Sequence, residues 1–558
     1  MTMNYSTVTA AHRCLRIGET LQVIINSLWD PDAKAPLAAV PALARTCKML
    51  HEAVLPTLWR YQNSFKPLLR LLPSDSWSEI LDEHGDSIFH IIDPSEIEWT
   101  RFDHYALHVR SIGHPETSKI ALDTWRVLSD HRPGGQPLLP RLRALSLYEP
   151  GKIYFPFIHL FLAPTLIHLE LASANFNQPA IMCQVFKHVG ETCEHVEFLQ
   201  LSVETIDDDD DDDNEDDEED STPQKLDSSI SDALAQLLRG LPKLECYSGN
   251  SVATSASCIE ALAALPKVEL ATLHVLPEEM DMLAVSTACR PRDGQWFNAL
   301  RSISLHVGQM DKSTAAFFGA IQSEDLECLL ITSSIQPDSA TTKRHLELVA
   351  CPNLTTVRLA LGHTFAGNPG SHTLDVGVVL QPLYAHPNIS SLDIQCSSLI
   401  VSANAVRDIA NAWRDLSSLQ LVSIDLPLPV VDKPLLTLEG LIPLVVNCRW
   451  LDHLTLPVSA DEVPDEAMLA QLLPKSSAWC ILRELTVAYA PIENPDQVAY
   501  FLLRLFPELR EVHYRDADEQ LPYESEWGIF EDKWEEVQEL LEWHWESESD
   551  ADEALRVE

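Results

Sequence analysis

One apolar pattern, Leu-x-x-Leu-x-Leu or a close variant, recurs thirteen times along this chain of 558 residues. Successive copies lie 24 to 35 residues apart, except for one interval of 48 residues. A repeat of this length is typical of a solenoid, in which each unit buries its apolar face against its neighbours. The pattern therefore predicts a repeat protein that binds partners along one long surface. The copies begin at Leu142, Leu166, Val196, Leu244, Leu270, Leu300, Leu326, Leu354, Ile389, Leu419, Leu451, Leu482 and Leu509.

The first of these copies shows the local structure that the pattern dictates. Apolar and polar residues alternate over its last positions, which is the periodicity of a β-strand with one buried face. Leu145 and Leu147 are expected to point inward, whereas Ser146 and Tyr148 face outward.

Helix-compatible segments lie between the strands. In residues 230–241 and 498–506, the apolar residues fall on one helical stripe. One strand and one helix in about 30 residues is the leucine-rich repeat architecture, so residues 136–515 are predicted to form a horseshoe-shaped solenoid of the α/β class. The asparagine or cysteine usual after the last leucine is replaced by Pro150 and Ala174 in the first two copies, so the repeats are degenerate.

Residues 63–135 are predicted to hold a divergent linker and the first repeats. The segment Phe102-x-x-Tyr105-x-Leu107-x-Val109 matches the strand template when aromatic residues are allowed in it. We therefore expect a strand over these residues.

A run of acidic residues explains the interval of 48 residues. Thirteen of the fourteen residues from Asp207 to Asp220 are Asp or Glu, and such a block cannot pack in a core. We predict a disordered loop insertion over residues 207–225, which is either a tolerated solvated insertion or an arm for a basic partner.

The charge of the whole chain restricts the class of partner. With 84 acidic and 39 basic residues, the formal net charge is −45. Nucleic acid is excluded as a partner on this ground, because phosphate binding needs clustered Lys and Arg. A basic protein partner is compatible with the charge.

An acidic segment rich in tryptophan follows the last copy. Trp534, Val537, Leu540 and Leu541 form a helical stripe. Because a solenoid needs a terminal unit with a polar outer face, we predict a C-terminal helical cap over residues 516–546. Residues 547–558 are expected to form a frayed acidic tail.

The sequence holds none of the motifs that carry chemistry. Gly-x-Gly-x-x-Gly, a Walker loop, Gly-x-Ser-x-Gly and His-Glu-x-x-His are all missing. His104, His108 and His114 cluster loosely but lack partners at metal-ligand spacing. We therefore expect no catalytic residue, no metal and no cofactor, and the chain is not predicted to be an enzyme.

Cysteine usage and hydropathy indicate the compartment. Twelve scattered cysteines show no Cys-x-x-Cys spacing, and we interpret them as reduced thiols. Neither a signal peptide nor an apolar stretch long enough to span a membrane is evident. The predicted location is the cytoplasm, the nucleus or both.

The N-terminal segment, residues 11–62, lacks the repeat and is predicted to be helical. Leu21, Ile24, Ile25 and Leu28 fall at positions i, i+3, i+4 and i+7, which is one apolar face of a helix. Three short helices cannot bury a large core alone. Their apolar surface should therefore contact either a partner or the first repeat.

This segment resembles an F-box, the helical module that docks on the Skp1 adaptor of cullin-RING ubiquitin ligases. The resemblance rests on Ile17-Gly18-Glu19-Thr20-Leu21-x-x-Ile24-Ile25-x-x-Leu28, on Leu43-Ala44-Arg45-Thr46-Cys47-Lys48 and on Leu58-Trp59-Arg60. Gly18 stands where the family usually has proline, and Ile25 stands where phenylalanine is common. Together with the degenerate repeats, the chain is similar to F-box and leucine-rich repeat proteins of mushroom-forming fungi. The adaptor-binding residues implied by the resemblance are Gly18, Leu21, Ile24, Ile25, Leu28, Leu43, Cys47 and Trp59.

The resemblance implies a non-catalytic substrate-recognition subunit of an SCF-type (Skp1-cullin-F-box) ubiquitin ligase. The N-terminal helices would hold the adaptor, and the solenoid would hold a protein target. The outward strand positions taken as the target surface show no Arg or Lys cluster, which favours basic or polar target groups over phosphates. These candidate target-binding residues are Arg358, Asp393, Gln395, Asp425, His453, Thr455, Glu484, Glu511 and His513.

Two other functions fit the sequence. One is a leucine-rich repeat interaction scaffold without a ligase role. The other is an acidic nuclear histone-binding protein, similar to the acidic leucine-rich nuclear phosphoproteins. In that family the acidic tract is a C-terminal tail, whereas here it interrupts the repeats.

Overall fold

The structure, a computed structural model, describes fifteen stretches of the chain and divides it into two compact units. The first unit comprises Met1–Asp210 and Gln224–Val252, and the second comprises Asp211–Pro223 and Ala253–Glu558. The described residues are 18–28, 39–81, 85–113, 119–149, 155–173, 176, 178–203, 223–288, 296–349, 351–362, 372–423, 436–465, 480–487, 490–514 and 528–557.

Parallel strands form the sheet of the first unit. Among its described residues, β1, β4, β5, β6, β7 and β8 are neighbours in that order, and β2 and β3 pair separately as an antiparallel hairpin. The strands are β1 (Tyr61–Gln62), β2 (Trp77–Leu81), β3 (Ser87–Ile91), β4 (Ser111–Gly113), β5 (Ala144–Glu149), β6 (His168–Ser173), β7 (Phe198–Ser202) and β8 (Cys246–Ala253).

Helices connect these strands, as a parallel ladder requires. The α-helices described in the first unit are Gly18–Ser27, Ala39–Ala44, Lys48–Leu58, Lys66–Leu69, Thr100–Ala106, Leu122–His131, Pro179–Thr192 and Ser228–Arg239. Short 3₁₀ segments lie at Pro94–Glu96, Pro133–Gly135 and Phe155–Leu160.

The second unit repeats the same arrangement. Its parallel ladder runs in the order β9, β10, β11, β12, β14, β16, β18, β20 and β21, with the small pairs β13–β15 and β17–β19 beside it. The strands are β9 (Leu270–Val275), β10 (Ser302–Val307), β11 (Cys328–Ser333), β12 (Thr356–Leu361), β13 (Leu374–Asp375), β14 (Ser391–Cys396), β15 (Leu399–Ile400), β16 (Ser418–Ser423), β17 (Leu436–Thr437), β18 (His453–Thr455), β19 (Val458–Ser459), β20 (Glu484–Thr486) and β21 (Glu511–His513).

The helices of the second unit also alternate with its ladder strands. They are Ala256–Ala263, Pro277–Ala288, Lys312–Ala320, Ser339–Leu348, Val376–Val379, Ala403–Ala412, Ile442–Asn447, Pro495–Leu505 and Gly528–Val557, with 3₁₀ segments at Gln381–Ala385 and Leu438–Leu441.

The inward residues of each ladder strand build the core. Leu145 and Leu147 of β5 are buried, whereas Ser146 and Tyr148 between and after them are only partly so. Parallel pairing places Leu145 opposite Leu169 of β6, so equivalent side chains stack from one copy to the next. Each buried leucine contributes about 1.5–3 kcal/mol. The predicted fold class, α/β with a repeated parallel strand and intervening helices, is confirmed.

Two of the thirteen copies begin at a different residue from the one predicted. Leu270 pairs with the outward Ser302 and is 45% exposed, while Val268 is 1% exposed and takes the inward position. Leu419 is a buried second position of its copy, which begins at Leu416. Closely spaced apolar residues allow several alignments of the template, and only strand pairing selects one.

The strand predicted from Phe102 to Val109 is wrong. Thr100–Ala106 is a helix, and the strand follows at Ser111–Gly113. The buried Phe102 and Ala106 stand at i and i+4, so they face the core from one side of the helix. A short apolar run fits either a helix or a strand, which is why its periodicity misled the prediction.

The predicted acidic insertion falls for the most part outside the described residues. Where the description resumes, Gln224 forms a parallel bridge with Val252. Asp227 then accepts a hydrogen bond from the backbone N–H of Ser229 at 2.8 Å and caps the helix Ser228–Arg239. The ordinary repeat structure therefore begins again a few residues after the acidic run.

The helix Gly528–Val557, the C-terminal helix, packs its predicted apolar stripe against the end of the ladder. Trp534, Val537 and Leu541 are buried, and Leu540 is partly buried. The Trp534 Nε1–H donates to the carbonyl oxygen of Ala490 at 2.8 Å, which satisfies the polar atom of the ring. The backbone remains helical through Val557, where a frayed tail was expected.

Side chains of the C-terminal helix also form hydrogen bonds with backbone groups of β21 and of the residues just before it. The backbone N–H of Val512 donates to Gln538 Oε1 at 2.7 Å, and the Trp545 Nε1–H donates to the carbonyl oxygen of Leu509 at 2.7 Å. An uncovered edge strand would offer such groups to a strand of another chain. The C-terminal helix therefore satisfies backbone groups at this end of the ladder, and its role as a cap stays a prediction.

We predict that Val268→Ala lowers the free energy of unfolding by about 1–3 kcal/mol, because it leaves a cavity in the core. Leu270→Ala removes a larger side chain but should change it by only about 0.5 kcal/mol, because Leu270 faces solvent. Urea unfolding followed by circular dichroism measures both. A larger loss for Leu270→Ala would contradict the register described for β9.

Two tryptophans of the C-terminal helix provide a matched test of the cap. Trp534→Ala should destabilise the second unit by about 3–5 kcal/mol, because it removes a buried aromatic ring. Trp543 is largely exposed on the same helix, so Trp543→Ala should be close to neutral. Thermal unfolding compares the two variants, and hydrogen exchange of the β21 amides should accelerate in Trp534→Ala alone. Equal effects of the two substitutions would refute the capping role.

Candidate functional site

The first candidate site is the N-terminal module, which consists of the helices Gly18–Ser27, Ala39–Ala44 and Lys48–Leu58. Partly buried Leu43, Leu50, Ala53 and Leu58 surround a small core of its own, and the buried members of that core are Leu21, Ile25, Val40, Ala44 and Val54. So small a core leaves apolar side chains uncovered, as expected for three short helices.

The predicted adaptor residues on the first helix divide into two groups. Leu21 and Ile25 are buried in the core of the module. Ile24 and Leu28 are 37% and 38% exposed, one turn apart on the same helix face. The apolar pattern predicted a single face, but the helix turns only Leu21 and Ile25 toward the core. Among the described residues, Leu21 therefore packs within the module itself, whereas Ile24 and Leu28 remain partly exposed.

The other predicted adaptor residues have different surroundings. Gly18 opens the first helix, and no atom lies within 4 Å of where a Cβ would stand at this position. Cys47 is an exposed thiol just before the third helix, whereas Leu43 is partly buried in the module. The Trp59 ring lies 5.0 Å from the ring of Tyr105, and it therefore anchors the end of the module.

Two exposed apolar residues of the N-terminal module were missed by the sequence analysis. Val23 is 68% exposed and Met49 is 43% exposed. With Ile24 and Leu28 they form what we call the exposed apolar set. Sequence periodicity could not find them, since Val23 and Met49 lie off the apolar stripe that the pattern follows.

The second candidate site is the outward face of the ladder in the second unit. Strand pairing sorts the predicted target-binding residues into rows across adjacent strands, with Gln395 two residues beyond Asp393 on β14. Asp425 lies outside the described residues. The first row is Arg358, Asp393, Gln420, Thr455, Thr486 and His513, and the second contains His453, Glu484 and Glu511.

The charged members of these rows pair with one another. Arg358 Nε lies 3.0 Å from Asp393 Oδ2, and the side-chain amide of Gln395 donates to the same oxygen at 3.3 Å. His453 Nε2 lies 3.1 Å from Glu484 Oε2 on the next strand. The spacing of about 4.8 Å between paired strands brings such side chains into contact.

The pairing of acidic and basic side chains restricts the class of surface that could bind this face. His513 Nε2 lies 3.4 Å from Glu511 Oε2, so acidic and basic groups alternate through β21 as well. The described part of this face has charges of both signs close together, and it presents hydrogen-bond donors and acceptors instead of a field of one sign. A polar protein surface with complementary groups suits it.

A pair of stacked histidines was not foreseen on this face. His274 of β9 pairs with His306 of β10, and their rings stack 4.0 Å apart with planes 3° from parallel. Burial lowers the pKa of His274 to about 3, with a further contribution from His306, whose own pKa burial also lowers. The sequence analysis did not find this pair, because it took Leu270 as the beginning of the copy. With that beginning, the two histidines fall at different positions of the repeat.

The described residues offer little to metal or thiol chemistry. Among them, no group of three or more His, Cys, Asp or Glu is arranged to hold a metal ion. His104 and His108 stack edge to face at 5.8 Å, and His114 is outside the described residues. The ten described cysteines are free thiols, and burial raises the pKa of Cys193 and Cys448 to about 12.

None of the helices in the described ranges combines the length and the apolar content that crossing a bilayer requires.

Comparison with known proteins finds solved structures that are similar to this chain, two of which are described below. No protein-family model matches the chain, and no curated protein matches it. It is similar to a chain in the crystal structure of a Rad7 and Elc1 complex from yeast, with 15% identity, coverage of 73% of this chain and 88% of that one, and a TM-score of 0.33. It is also similar to an LRR protein of Leptospira interrogans, with 13% identity, coverage of 67% and 90%, and a TM-score of 0.30. Assignment to a leucine-rich repeat fold rests on the strand ladders themselves.

The stacked histidines predict that stability falls in acid. Since folding lowers the pKa of His274 below its ordinary value of 6.5, the unfolded chain binds more protons below that pH. Stability should be unaffected above about pH 6.5 and should fall as the pH drops from there toward 3. His274→Phe keeps an aromatic ring without a titrating group, so its free energy of unfolding should fall less on acidification. His131→Phe, at an exposed position, should behave like the unaltered protein in the same urea titrations. Identical acid sensitivity of His274→Phe and the unaltered chain would count against this account.

Proposed function

We propose that this chain is a non-catalytic substrate-recognition subunit of an SCF-type ubiquitin ligase. The N-terminal module docks a Skp1-like adaptor, which links the chain to a cullin, and the outward ladder faces bind a protein target. The chain contributes proximity and orientation, while other subunits carry out ubiquitin transfer.

The exposed apolar set carries this proposal. Ile24 and Leu28 lie in the F-box-like motif of the first helix, and Val23 and Met49 add further apolar surface on the same module. Covering apolar surface stabilises a complex by about 25 cal/mol per Å² before the costs of association. A partner that covers these side chains would bury the apolar surface that the small core of the module leaves exposed.

The structure changes the role that each predicted residue plays in this proposal. Leu21 and Ile25 support the helices from within the core, and the exposed apolar set makes the contacts with the adaptor. Cys47 and Gly18 are accessible to the same partner, whereas Trp59 anchors the end of the module.

Target binding is assigned to the paired charges on the second unit. The side chains of Arg358, His453 and Glu484 are about half exposed, and strand pairing fixes the positions of the Arg358–Asp393 and His453–Glu484 pairs. A target whose polar groups complement those pairs gains orientation from them, and the alternation of sign selects against targets with large patches of one charge.

Two valines with the same exposure test adaptor docking. Val23 in the module and Val285 on the helix Pro277–Ala288 are 68% and 69% exposed. Val23→Asp, and likewise Ile24→Asp, should weaken the complex with Skp1 at least about tenfold, because a carboxylate would be buried in an apolar contact. Val285→Asp should bind normally. Co-purification and calorimetric titration with Skp1 measure the difference.

The outcomes separate the functions under consideration. No complex between Skp1 and the unaltered chain would eliminate the ligase proposal and leave an interaction scaffold. Substitution of Leu21 is unsuitable for this purpose, because a charge at that buried position would unfold the module itself. Circular dichroism of Val23→Asp and Ile24→Asp verifies that their helices remain folded.

A further inference from the structure

The antiparallel hairpin of β2 and β3 in the first unit has one covered edge and one open edge. On the covered edge, the carbonyl oxygen of Phe89 in β3 accepts the N–H of Ala121 at 2.9 Å. The N–H of Ile91 in the same strand donates to Thr124 Oγ1 at 3.0 Å. The outer backbone groups of β3 are therefore satisfied by the beginning of the helix Leu122–His131.

The register of the hairpin fixes which residues of β2 face the open edge. The N–H of Ile92 donates to the carbonyl oxygen of Ser76 at 2.8 Å, so these two residues form a hydrogen-bonded pair. Hydrogen-bonded and non-hydrogen-bonded pairs alternate along an antiparallel ladder. Trp77, Glu79 and Leu81 consequently turn their backbone groups away from β3, and β2 pairs with no other strand in the described part of the chain.

β2 lacks the features that usually protect an edge strand. Lysine, proline or a bulge commonly prevents such a strand from pairing with another chain. β2 reads Trp-Ser-Glu-Ile-Leu, and its register with β3 is uninterrupted. Its one charged side chain, Glu79, pairs with Arg70 at 2.6 Å and also accepts a hydrogen bond from Ser87. The charge that could repel a second strand is therefore offset within the chain.

Apolar side chains lie beside the unpaired backbone groups. Ile80 is 54% exposed and stands opposite Ile88 of β3, and Leu81 at the end of the strand is 70% exposed. On the other face of the hairpin, the ring of Trp77 stacks on that of Phe89 at 5.1 Å, so this face is already covered. An exposed apolar strip next to free N–H and C=O groups favours the addition of a further strand.

The β2 edge is complementary to itself. When β2 pairs antiparallel with β2 of a second copy about a twofold axis at Ile80, Glu79 of each copy aligns with Leu81 of the other. Both residues face the open edge, so each aligned pair exchanges two hydrogen bonds. The two Ile80 side chains meet at the axis, each beside Ile88 of its own hairpin, and no like charges are aligned. One segment thus supplies both halves of the contact, as a twofold dimer requires.

We propose that two copies of this chain associate through their β2 edges into a twofold dimer with a four-stranded sheet. A strand of an unrelated protein would need its own free edge of matching register, which every copy of this chain already has. The inference goes beyond the adaptor and target roles proposed above and does not depend on either of them.

The size and charge of the contact set its strength. Stable interfaces bury about 1,200–2,000 Å² in total, and two strands of five residues cover less than that. The dimer should therefore form at micromolar concentrations. Each copy has a formal charge of −45, so salt that screens the repulsion should strengthen the dimer. Attraction between this acidic chain and a basic protein would weaken in salt instead.

Sedimentation velocity of the full-length chain tests the proposal over roughly 1 to 100 μM. Ile80→Lys places two like charges at the axis and should raise the dissociation constant of the dimer about tenfold or more. Ile92→Lys is the matched control, because Ile92 is 57% exposed and follows β3, away from the β2 edge. It should dimerise as the unaltered chain does. A monomer at every concentration and salt level, or equal effects of the two substitutions, would overturn the proposal.

A cysteine at the axis tests the register. Ile80→Cys should form a disulfide-linked dimer on mild oxidation, since opposed Cβ atoms of a non-hydrogen-bonded pair lie about 4.5–5.5 Å apart, close to disulfide geometry. Ile92→Cys should stay monomeric on a non-reducing gel, as should the unaltered chain with its exposed Cys47. Failure of Ile80→Cys to cross-link, or equal cross-linking of the controls, would refute this register. Circular dichroism verifies that the variants are folded, and Skp1 takes no part in either measurement.

Discussion

Parallel pairing of successive strands is the constraint on which the rest of the structure depends. It places equivalent residues of neighbouring copies opposite each other, as with Leu145 and Leu169, so that inward leucines stack into a continuous core. Each copy gains part of its stability from contacts with its neighbours. The last strand of a ladder has backbone groups that no further strand pairs. In β21, the N–H of Val512 instead donates to the side chain of Gln538 in the C-terminal helix.

The same pairing that builds the core also arranges the outward chemistry. Side chains at one register position must lie about 4.8 Å apart, whatever their charge. Opposite charges then form pairs such as Arg358 with Asp393, and neutral rings stack as His274 does on His306. Arg60, Arg110 and Arg143 occupy one register position, and no ion pair among the described residues involves them. The register of the strands therefore determines which outward side chains lie next to one another.

The N-terminal module follows a different rule. Its three helices are too short for a large core, so burial of Leu21 and Ile25 leaves Ile24, Leu28 and Val23 uncovered. Apolar surface of this kind favours association with another protein. The docking proposed for the module and the recognition proposed for the ladders therefore depend on different elements, and each can be altered separately.

Sequence alone determined the repeat, its strand-and-helix content, the buried stripe of the C-terminal helix and the lack of catalytic motifs, because all of these depend on local periodicity. Sequence alone could not determine the register where apolar residues lie close together. The copies predicted to begin at Leu270 and Leu419 begin elsewhere, and the helix that contains Phe102 was predicted as a strand. Tertiary structure decided which apolar residues of the N-terminal module stay exposed. It also decided that Arg60, Arg110 and Arg143 meet. The physical reason is that backbone hydrogen bonds between strands join residues more than eighty positions apart into one row, and no local pattern in the chain encodes that pairing.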